Sequence, residues 1–136
     1  MRVVLGTNIF VSGFRFGGNP KEDVELAFAG QYTLIGSEAI LTELRRVLSG
    51  KFQWSSSMVD SVIERLRLIS EMVEPAFTFT ACSDRDDNRI LEAAVCGQAH
   101  YIVSGDGHLL KMNAFEGIQI VPASEFLARF GAPAKE

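Results

Sequence analysis

Apolar positions along the chain recur with two different spacings, which together predict alternating strands and helices. Short apolar runs at residues 3–5 and 99–103 are bounded by turn-forming residues, as is typical of strands covered on both faces. Residues 32–35 and 119–121 predict two further strands. Because helical patterns lie between these strands, we expect a parallel sheet with right-handed crossovers.

A helical hairpin is predicted in the first half of the chain. Ser37 is the expected N-cap of a helix that ends at Gly50, and residues 56–70 carry a second apolar stripe at helical spacing. The short connection between them contains Phe52 and Trp54. These two aromatic residues belong either to the core or to a contact surface for a partner, and the tip of the hairpin is our candidate for partner binding.

The second half of the chain predicts a capped helix over residues 84–96 and a final helix near residues 124–130. The glycine-containing loop at residues 17–20 and the tail at residues 132–136 are predicted to be mobile. A single domain is therefore expected over residues 1–131.

Composition narrows the class of protein. The chain has 136 residues, 47% of them hydrophobic, which suits one compact α/β or α+β domain with a sizeable core. The opening apolar run is too short for a secretory signal, and no apolar stretch approaches the roughly 20 residues of a membrane helix. We therefore expect a soluble, cytoplasmic protein without a membrane partner. Cys82 and Cys96 lack the spacing of a zinc site and are interpreted as reduced and structural.

The net charge of −4 gives no general attraction to nucleic acid. Any contact with RNA or DNA would need a local basic patch or a bound cation. Arg15, Arg85 and Arg89 are candidates for such a patch, although exposed arginines on helices often only interact with solvent.

Ligands of open parallel sheets collect beyond the carboxyl ends of the strands, so residues at those ends are candidate site residues. Gly6 follows the first strand, and Asp106 comes two residues after Ser104 at the end of the strand over residues 99–103. Glu43 lies at the border of its helix stripe, where its side chain could lean over the same edge. Taken alone, Asp106 could be a turn residue and Glu43 a solvated helix residue.

Asp87 is the most informative acid of the chain. It shares a helical stripe with Ile90, Leu91 and Ala94, so its carboxylate is predicted to point toward the sheet. The helix dipole favours a charge there by only about 0.3–1 kcal/mol, so a bound cation is the expected partner. Asp84 is interpreted as the N-cap of this helix and Asp86 as solvent-facing.

Carboxylates gathered at one edge favour Mg²⁺ or Mn²⁺, which activate a water molecule and neutralise charge on a phosphate being cleaved. His100 and His108 are interpreted as structural or exposed rather than as bases. The chain lacks the P-loop, G-x-G-x-x-G and G-x-S-x-G motifs, which argues against the common nucleotide-binding and hydrolase classes.

Four segments resemble the signature blocks of PIN domains in the family's order and spacing: residues 3–12, 37–44, 84–94 and 102–106. The chain is most similar to bacterial PIN proteins of toxin–antitoxin operons, the VapC toxins. The resemblance implies a three-layer α/β/α fold with a central parallel sheet and a ribonuclease dependent on Mg²⁺ or Mn²⁺. It also implies a homodimer and a small antitoxin as cognate partner.

The resemblance assigns the metal site position by position. Glu43, Asp87 and Asp106 match the family's acids. The residues that match its supporting positions are Thr7, Asn8 and Ser104.

The family's first acid, at the end of the first strand, is replaced by Gly6. We therefore expect this chain to bind metal weakly and to cleave RNA slowly or not at all. Two explanations remain open: an ordinary PIN nuclease that carries an inactivating substitution, or a natural non-catalytic module that binds RNA or protein. A phosphoacceptor signalling domain also has acids at a sheet edge, but here the first strand is followed by no acid.

Overall fold

The computed structural model describes residues 1–131 and contains a six-stranded sheet in the order β3-β2-β1-β4-β6-β5. All neighbouring strands are parallel except β5 and β6. The strands are β1 (Arg2–Leu5), β2 (Thr33–Gly36), β3 (Glu71–Met72), β4 (Tyr101–Val103), β5 (Ala114–Phe115) and β6 (Ile118–Val121). The four predicted strands are confirmed, while β3 and β5 have two residues each and carry too little pattern to be predicted.

Helices cover both faces of the sheet. They are α1 (Thr7–Phe16), α2 (Gly18–Phe28), α3 (Glu38–Gly50), α4 (Ser56–Ile69), α5 (Arg85–Cys96), α6 (Gly107–Leu110) and α7 (Ala123–Gly131). One core cluster joins α1, α2, α3, α4 and α7 to one face, and a second joins α5 and α6 to the other. Side chains alternate along β1: Val3 and Leu5 enter the first cluster and Val4 enters the second. The three-layer α/β/α prediction is confirmed.

The predicted caps are present. The Ser37 hydroxyl accepts the amide N–H of Ile40 at 3.3 Å, and the Asp84 carboxylate accepts that of Asp86 at 2.8 Å. These bonds satisfy amides that have no partner within the first turn of a helix. Both helices therefore begin where the sequence predicts.

The region after β1 differs from the prediction. The sequence predicts a mobile loop at residues 17–20, but α2 begins at Gly18 and includes residues 19 and 20. Gly17 has a φ of 76°, which allows a sharp turn between α1 and α2. A Cβ atom on Gly13 would lie 3.0 Å from Cα of Lys21, so the two helices pack more closely than a larger side chain would permit. The tail at residues 132–136 lies outside the described residues.

The ends of β1 and β4 lie side by side. Leu5 pairs with Val103, and the amide of Gly6 donates to the carbonyl of Val103 at 2.8 Å. The residues that follow these strands therefore meet at one edge, where the sequence predicts the site. Among the described residues, no helix has both the length and the apolar character needed to cross a membrane.

Candidate active site

Asp87 points into the protein from the first turn of α5. Its side chain is buried, with 7% of the residue's surface exposed, and its Oδ2 atom has no hydrogen-bond partner. Burial, followed by its hydrogen bond with Asp106, raises the pKa of Asp87 to about 8. The predicted inward orientation is confirmed, and the orphaned oxygen is the kind of atom that a bound cation satisfies.

Asp106 lies between β4 and α6, and hydrogen bonds to residues two positions before and after it hold it in place. Its amide donates to Ser104 Oγ at 2.9 Å, and its Oδ1 accepts the amide N–H of His108 at 2.9 Å. The hydrogen bond with Asp87 lowers the pKa of Asp106. Ionisation of one carboxyl group therefore opposes ionisation of the other, and the opposite shifts favour the proton on Asp87.

Glu43 reaches the same edge from α3. Thr7 Oγ1, at the start of α1, donates to Glu43 Oε1 at 2.6 Å. Burial raises the pKa of Glu43, and the bond from Thr7 acts in the opposite direction. Asn8 Oδ1 accepts the amide N–H of Gly105 at 3.1 Å, which ties α1 to the segment after β4.

Gly6 occupies a position that another residue could fill. Its φ of −65° and ψ of 155° are open to any L-residue, and it is the N-cap of α1 without a side-chain cap. A Cβ atom there would lie 3.4 Å from Asn8 Oδ1 and Val103 O, and 3.6 Å from Ser104 Oγ. These are ordinary contact distances. Neither backbone conformation nor space requires a glycine.

One cleft of about 210 Å³ brings these residues together. Its lining includes Gly6 and the three predicted acids, Glu43, Asp87 and Asp106, as well as the predicted supporting residues Thr7, Asn8 and Ser104. Lys51, Phe52 and Asp84 also line it, although the sequence predicts a core or partner-surface role for Phe52, a helix cap for Asp84 and no role for Lys51. Their position depends on how α3 and α5 pack, which a helical pattern alone does not encode.

His108 was interpreted from sequence as structural or exposed, and it is 73% exposed at the side chain. Nevertheless it joins Asp87 and Asp106 in a group whose ligand atoms lie within 4.8 Å of one another. In the sequence, the signal for this grouping is that His108 comes two residues after Asp106. Within residues 1–131 this is the one group of three or more potential metal-ligating side chains of this kind.

The three candidate RNA-contacting arginines have different surroundings. Arg15 is exposed and lies over the Phe52 ring at 5.0 Å, in a cavity of about 350 Å³ that adjoins the acidic cleft. Arg85 is exposed at the start of α5. Arg89 donates to Glu92 at 2.7 Å and lines a different pocket.

The tip of the α3–α4 hairpin combines core and surface residues. The Trp54 ring lies 5.6 Å from that of Phe14, and both pack against the first core cluster. Phe52 is half-buried and lines both the acidic cleft and the adjoining cavity. Trp54 is thus chiefly a packing residue, whereas Phe52 is available to a ligand.

Comparison with models of protein families shows which family the chain belongs to. The model of the family described as PIN domain matches residues 2–108. The chain belongs to the PIN domain family. PIN domains are generally nucleases, and in this chain three acids, from α3, α5 and the segment after β4, line one cleft. The resemblance that the four sequence segments indicate is therefore confirmed at the level of the family.

Two individual proteins are similar to this chain, one in sequence and one in fold. An uncharacterized protein of Methanocaldococcus jannaschii is 26% identical over 117 residues, which cover 82% of this chain and 75% of the relative. A chain of the crystal structure of VapBC2 from Rickettsia felis, bound to a DNA fragment from their promoter, has a similar fold, with a TM-score of 0.59 and 17% identity. That match covers 88% of this chain and 97% of the other.

The donor set of the cleft fits a divalent cation. Asp87 supplies a buried oxygen without a partner, and Asp106 supplies an ionised carboxylate beside it. Carboxylate oxygens are the ligands that Mg²⁺ and Mn²⁺ use in proteins. Burial is the main cause of the raised pKa of Asp87, with repulsion from neighbouring acids as a smaller one, and a cation here would counteract both.

Proposed function

We propose that the chain is a divalent-metal-dependent endoribonuclease of a toxin–antitoxin pair, impaired in this form because Gly6 replaces the strand-end aspartate. The observation that carries the proposal is the Oδ2 atom of Asp87, which is buried without a hydrogen-bond partner while Asp87 and Asp106 line the same cleft. A buried carboxyl group beside a second carboxyl group is costly unless something binds it. Mg²⁺ or Mn²⁺ is the proposed cofactor.

Each residue of the cleft has a distinct proposed role. Asp87 and Asp106 would hold the metal ion, which when bound supplies an activated water and charge neutralisation for phosphodiester cleavage. Glu43, fixed by Thr7, would orient water or a metal ligand from the opposite side of the cleft. Asn8 and Ser104 set the backbone after β4 and thereby the position of Asp106.

RNA is the proposed substrate. The surface beside the acids has features that suit the binding of a single strand. Arg15 and Lys51 lie 5.0 and 5.7 Å from the Phe52 ring centre. Aromatic rings with neighbouring cations stack bases and attract phosphates without reading sequence. Because Phe52 also lines the acidic cleft, a strand that stacks on it would pass the acids. Arg85, exposed at the start of α5, is a second proposed phosphate contact.

The proposal also includes two assemblies of the protein in the cytoplasm: a homodimer and a complex with a small antitoxin. A groove of about 820 Å³ between α1, α2 and α4 includes the exposed residues Phe16 and Met58. Exposed apolar side chains beside a groove are typical of a protein-binding surface. Co-purification with the product of an adjacent small gene, followed by a mass measurement of the complex, tests both assemblies.

Restoring the acid tests the enzymatic proposal. The Gly6→Asp variant should cleave a single-stranded RNA when Mn²⁺ is added and should stop when a chelator is added. The double variant Gly6→Asp/Asp87→Asn is the matched control and should be inactive. An inert Gly6→Asp protein that folds normally would favour the second candidate, a non-catalytic module, for which the observed Gly6 is the specific support.

A further inference from the structure

We infer that His108 is a metal ligand beside Asp87 and Asp106, and that this mixed site binds first-row transition ions in preference to Mg²⁺. The inference rests on the metal site of the proposed function, but it concerns which ion the chain's own donors accept. His108 Nδ1 lies 3.6 Å from Asp106 Oδ1, and the ligand atoms of all three residues lie within 4.8 Å of one another. A single ion can therefore contact all three after small side-chain adjustments.

The backbone already holds His108 in place. Its amide donates to Asp106 Oδ1 at 2.9 Å, so the histidine follows Asp106 within one turn. The side chain is 73% exposed, and its one recorded side-chain contact is with Asp106. The ring is thus free to turn toward an ion without loss of packing.

Asp87 is the independent sign that a ligand belongs here. The residue is 7% exposed, and its Oδ2 atom is buried without a hydrogen-bond partner in the same group. Buried polar atoms in folded proteins nearly always have partners. An ion between Asp87 and His108 would satisfy this oxygen.

Several other polar side chains at the edge already form hydrogen bonds. Asn8 Oδ1 accepts the Gly105 amide and Ser104 Oγ accepts the Asp106 amide. Glu43 Oε1 accepts the Thr7 hydroxyl. With Gly6 providing no side chain, His108 is the donor best placed to add to the two aspartates.

The chemistry of the donors sets the preference. Mg²⁺ takes oxygen ligands almost exclusively, whereas Zn²⁺ and Co²⁺ take imidazole nitrogen together with carboxylate. Mn²⁺ is intermediate: it prefers oxygen but accepts nitrogen more readily than Mg²⁺ does. A site with two carboxylates and one imidazole therefore favours the transition ions. Between the two proposed cofactors, this chain is expected to select Mn²⁺.

Titrations of the purified full chain with Co²⁺, Mn²⁺ and Mg²⁺ test the inference without RNA. Co²⁺ binding is followed by its visible absorption, which changes when nitrogen replaces oxygen, and the other ions by calorimetry. Loss of a residue that only orients a metal ligand lowers metal affinity by about 10–100-fold. Because His108 is proposed as a ligand itself, His108→Gln should weaken Co²⁺ and Mn²⁺ binding by at least about tenfold. Binding of Mg²⁺ should be unchanged. His100→Gln, which alters the other histidine of the chain, should behave as the parent.

His108→Asp provides a second test because it exchanges the imidazole for a carboxylate. This variant should bind Mg²⁺ more tightly and lose the preference for Co²⁺. The inference is overturned if His108→Gln binds Co²⁺ and Mn²⁺ like the parent, or if the parent binds neither ion. If Gly6→Asp fails to cleave RNA while Co²⁺ binding still depends on His108, the ribonuclease proposal is rejected and the inference about His108 stands.

Discussion

Thr7 Oγ1 donates a hydrogen bond of 2.6 Å to Glu43 Oε1, so the first residue of α1 fixes a carboxylate that comes from α3. The two residues are 36 positions apart in the chain, and both line the acidic cleft. The bond counteracts the effect of burial on the pKa of Glu43 and favours its ionised form. The position of Glu43 in the cleft therefore depends on a hydroxyl at position 7.

Replacing Thr7 with Val should release Glu43 while keeping the shape of the side chain. In the Gly6→Asp background, we expect RNA cleavage to fall by about tenfold, as for other residues that orient a metal site. Thr42→Val, on the exposed side of α3 next to Glu43, is the matched control and should leave the rate unchanged. Equal rates for both variants would remove Thr7 from the account.

Asp87→Asn should stabilise the metal-free protein and abolish metal binding. The buried carboxyl has a pKa of about 8 and an unpartnered oxygen, so near neutral pH folding requires it to take up a proton, and an amide removes this cost. We expect a gain of roughly 1–3 kcal/mol in the free energy of unfolding, measured by denaturant titration with a chelator present. Asp86→Asn, at the neighbouring partly exposed residue that pairs with Arg46, should change it by less than about 0.5 kcal/mol. A destabilised Asp87→Asn would show that the carboxylate serves the fold.

Much of the fold is readable from sequence because its signals are local. The Ser37 cap, the phase of Asp87 on α5 and the apolar runs of β1 and β4 each depend on neighbouring residues. The α1–α2 corner is different. Its helices follow β1 without a linker, and the close contact of Gly13 with Lys21 that fixes the corner is tertiary. A glycine-rich segment therefore looks like a loop but forms a helix junction.

The residues of the candidate site also divide into those that local sequence signals predict and those that depend on tertiary packing. The acids at positions 43, 87 and 106 are predictable because strand ends and helix phase place them. Lys51 and Phe52 reach the cleft only because the hairpin packs beside α1. His108 lies near Asp106 through a single backbone hydrogen bond in a four-residue helix, which is too short to have a sequence period.

Asp23 predicts a pH-dependent stability. It lies on α2 with no exposed surface, and neither carboxylate oxygen has a hydrogen-bond partner. Burial, with a smaller contribution from Glu22, raises its pKa to about 7. The folded protein therefore holds a proton that the unfolded chain releases near pH 4, so stability should fall as the pH rises from about 4 to about 7.

Asp23→Asn should reduce this dependence, leaving the part due to the raised pKa of Asp87, and should raise the free energy of unfolding by roughly 2–4 kcal/mol at neutral pH. Thermal unfolding between pH 4.5 and 7.5 measures the effect. Asp60→Asn alters an exposed aspartate paired with Arg45 and should retain the slope of the parent. A parent protein whose stability is flat over this range would contradict the assignment.

Phe52→Ala and Arg15→Ala should weaken the binding of a single-stranded RNA oligonucleotide. Base stacking on an aromatic ring contributes about 1–3 kcal/mol, so we expect Phe52→Ala to reduce affinity by about tenfold. Arg15→Ala should also reduce the salt dependence of binding. Fluorescence anisotropy at two salt concentrations measures both effects.

Arg129→Ala is the control for these variants. Arg129 lies over Tyr101 at 5.9 Å, a similar cation–aromatic pair at the opposite end of β4 from the acids. It should leave RNA affinity unchanged. Equal losses from all three variants would indicate unspecific charge attraction instead of a binding surface beside the cleft.

The affinity of the Gly6→Asp protein for Mn²⁺, compared with that of the parent by calorimetry, tests the central claim most directly. The site at position 6 has room for a Cβ atom at ordinary contact distances and lies between Asn8 and Ser104 in the cleft. We predict one Mn²⁺ ion per chain, bound at least about tenfold more tightly than by the parent. Equal affinity in a correctly folded variant would contradict the claim that Gly6 marks the missing member of this metal site.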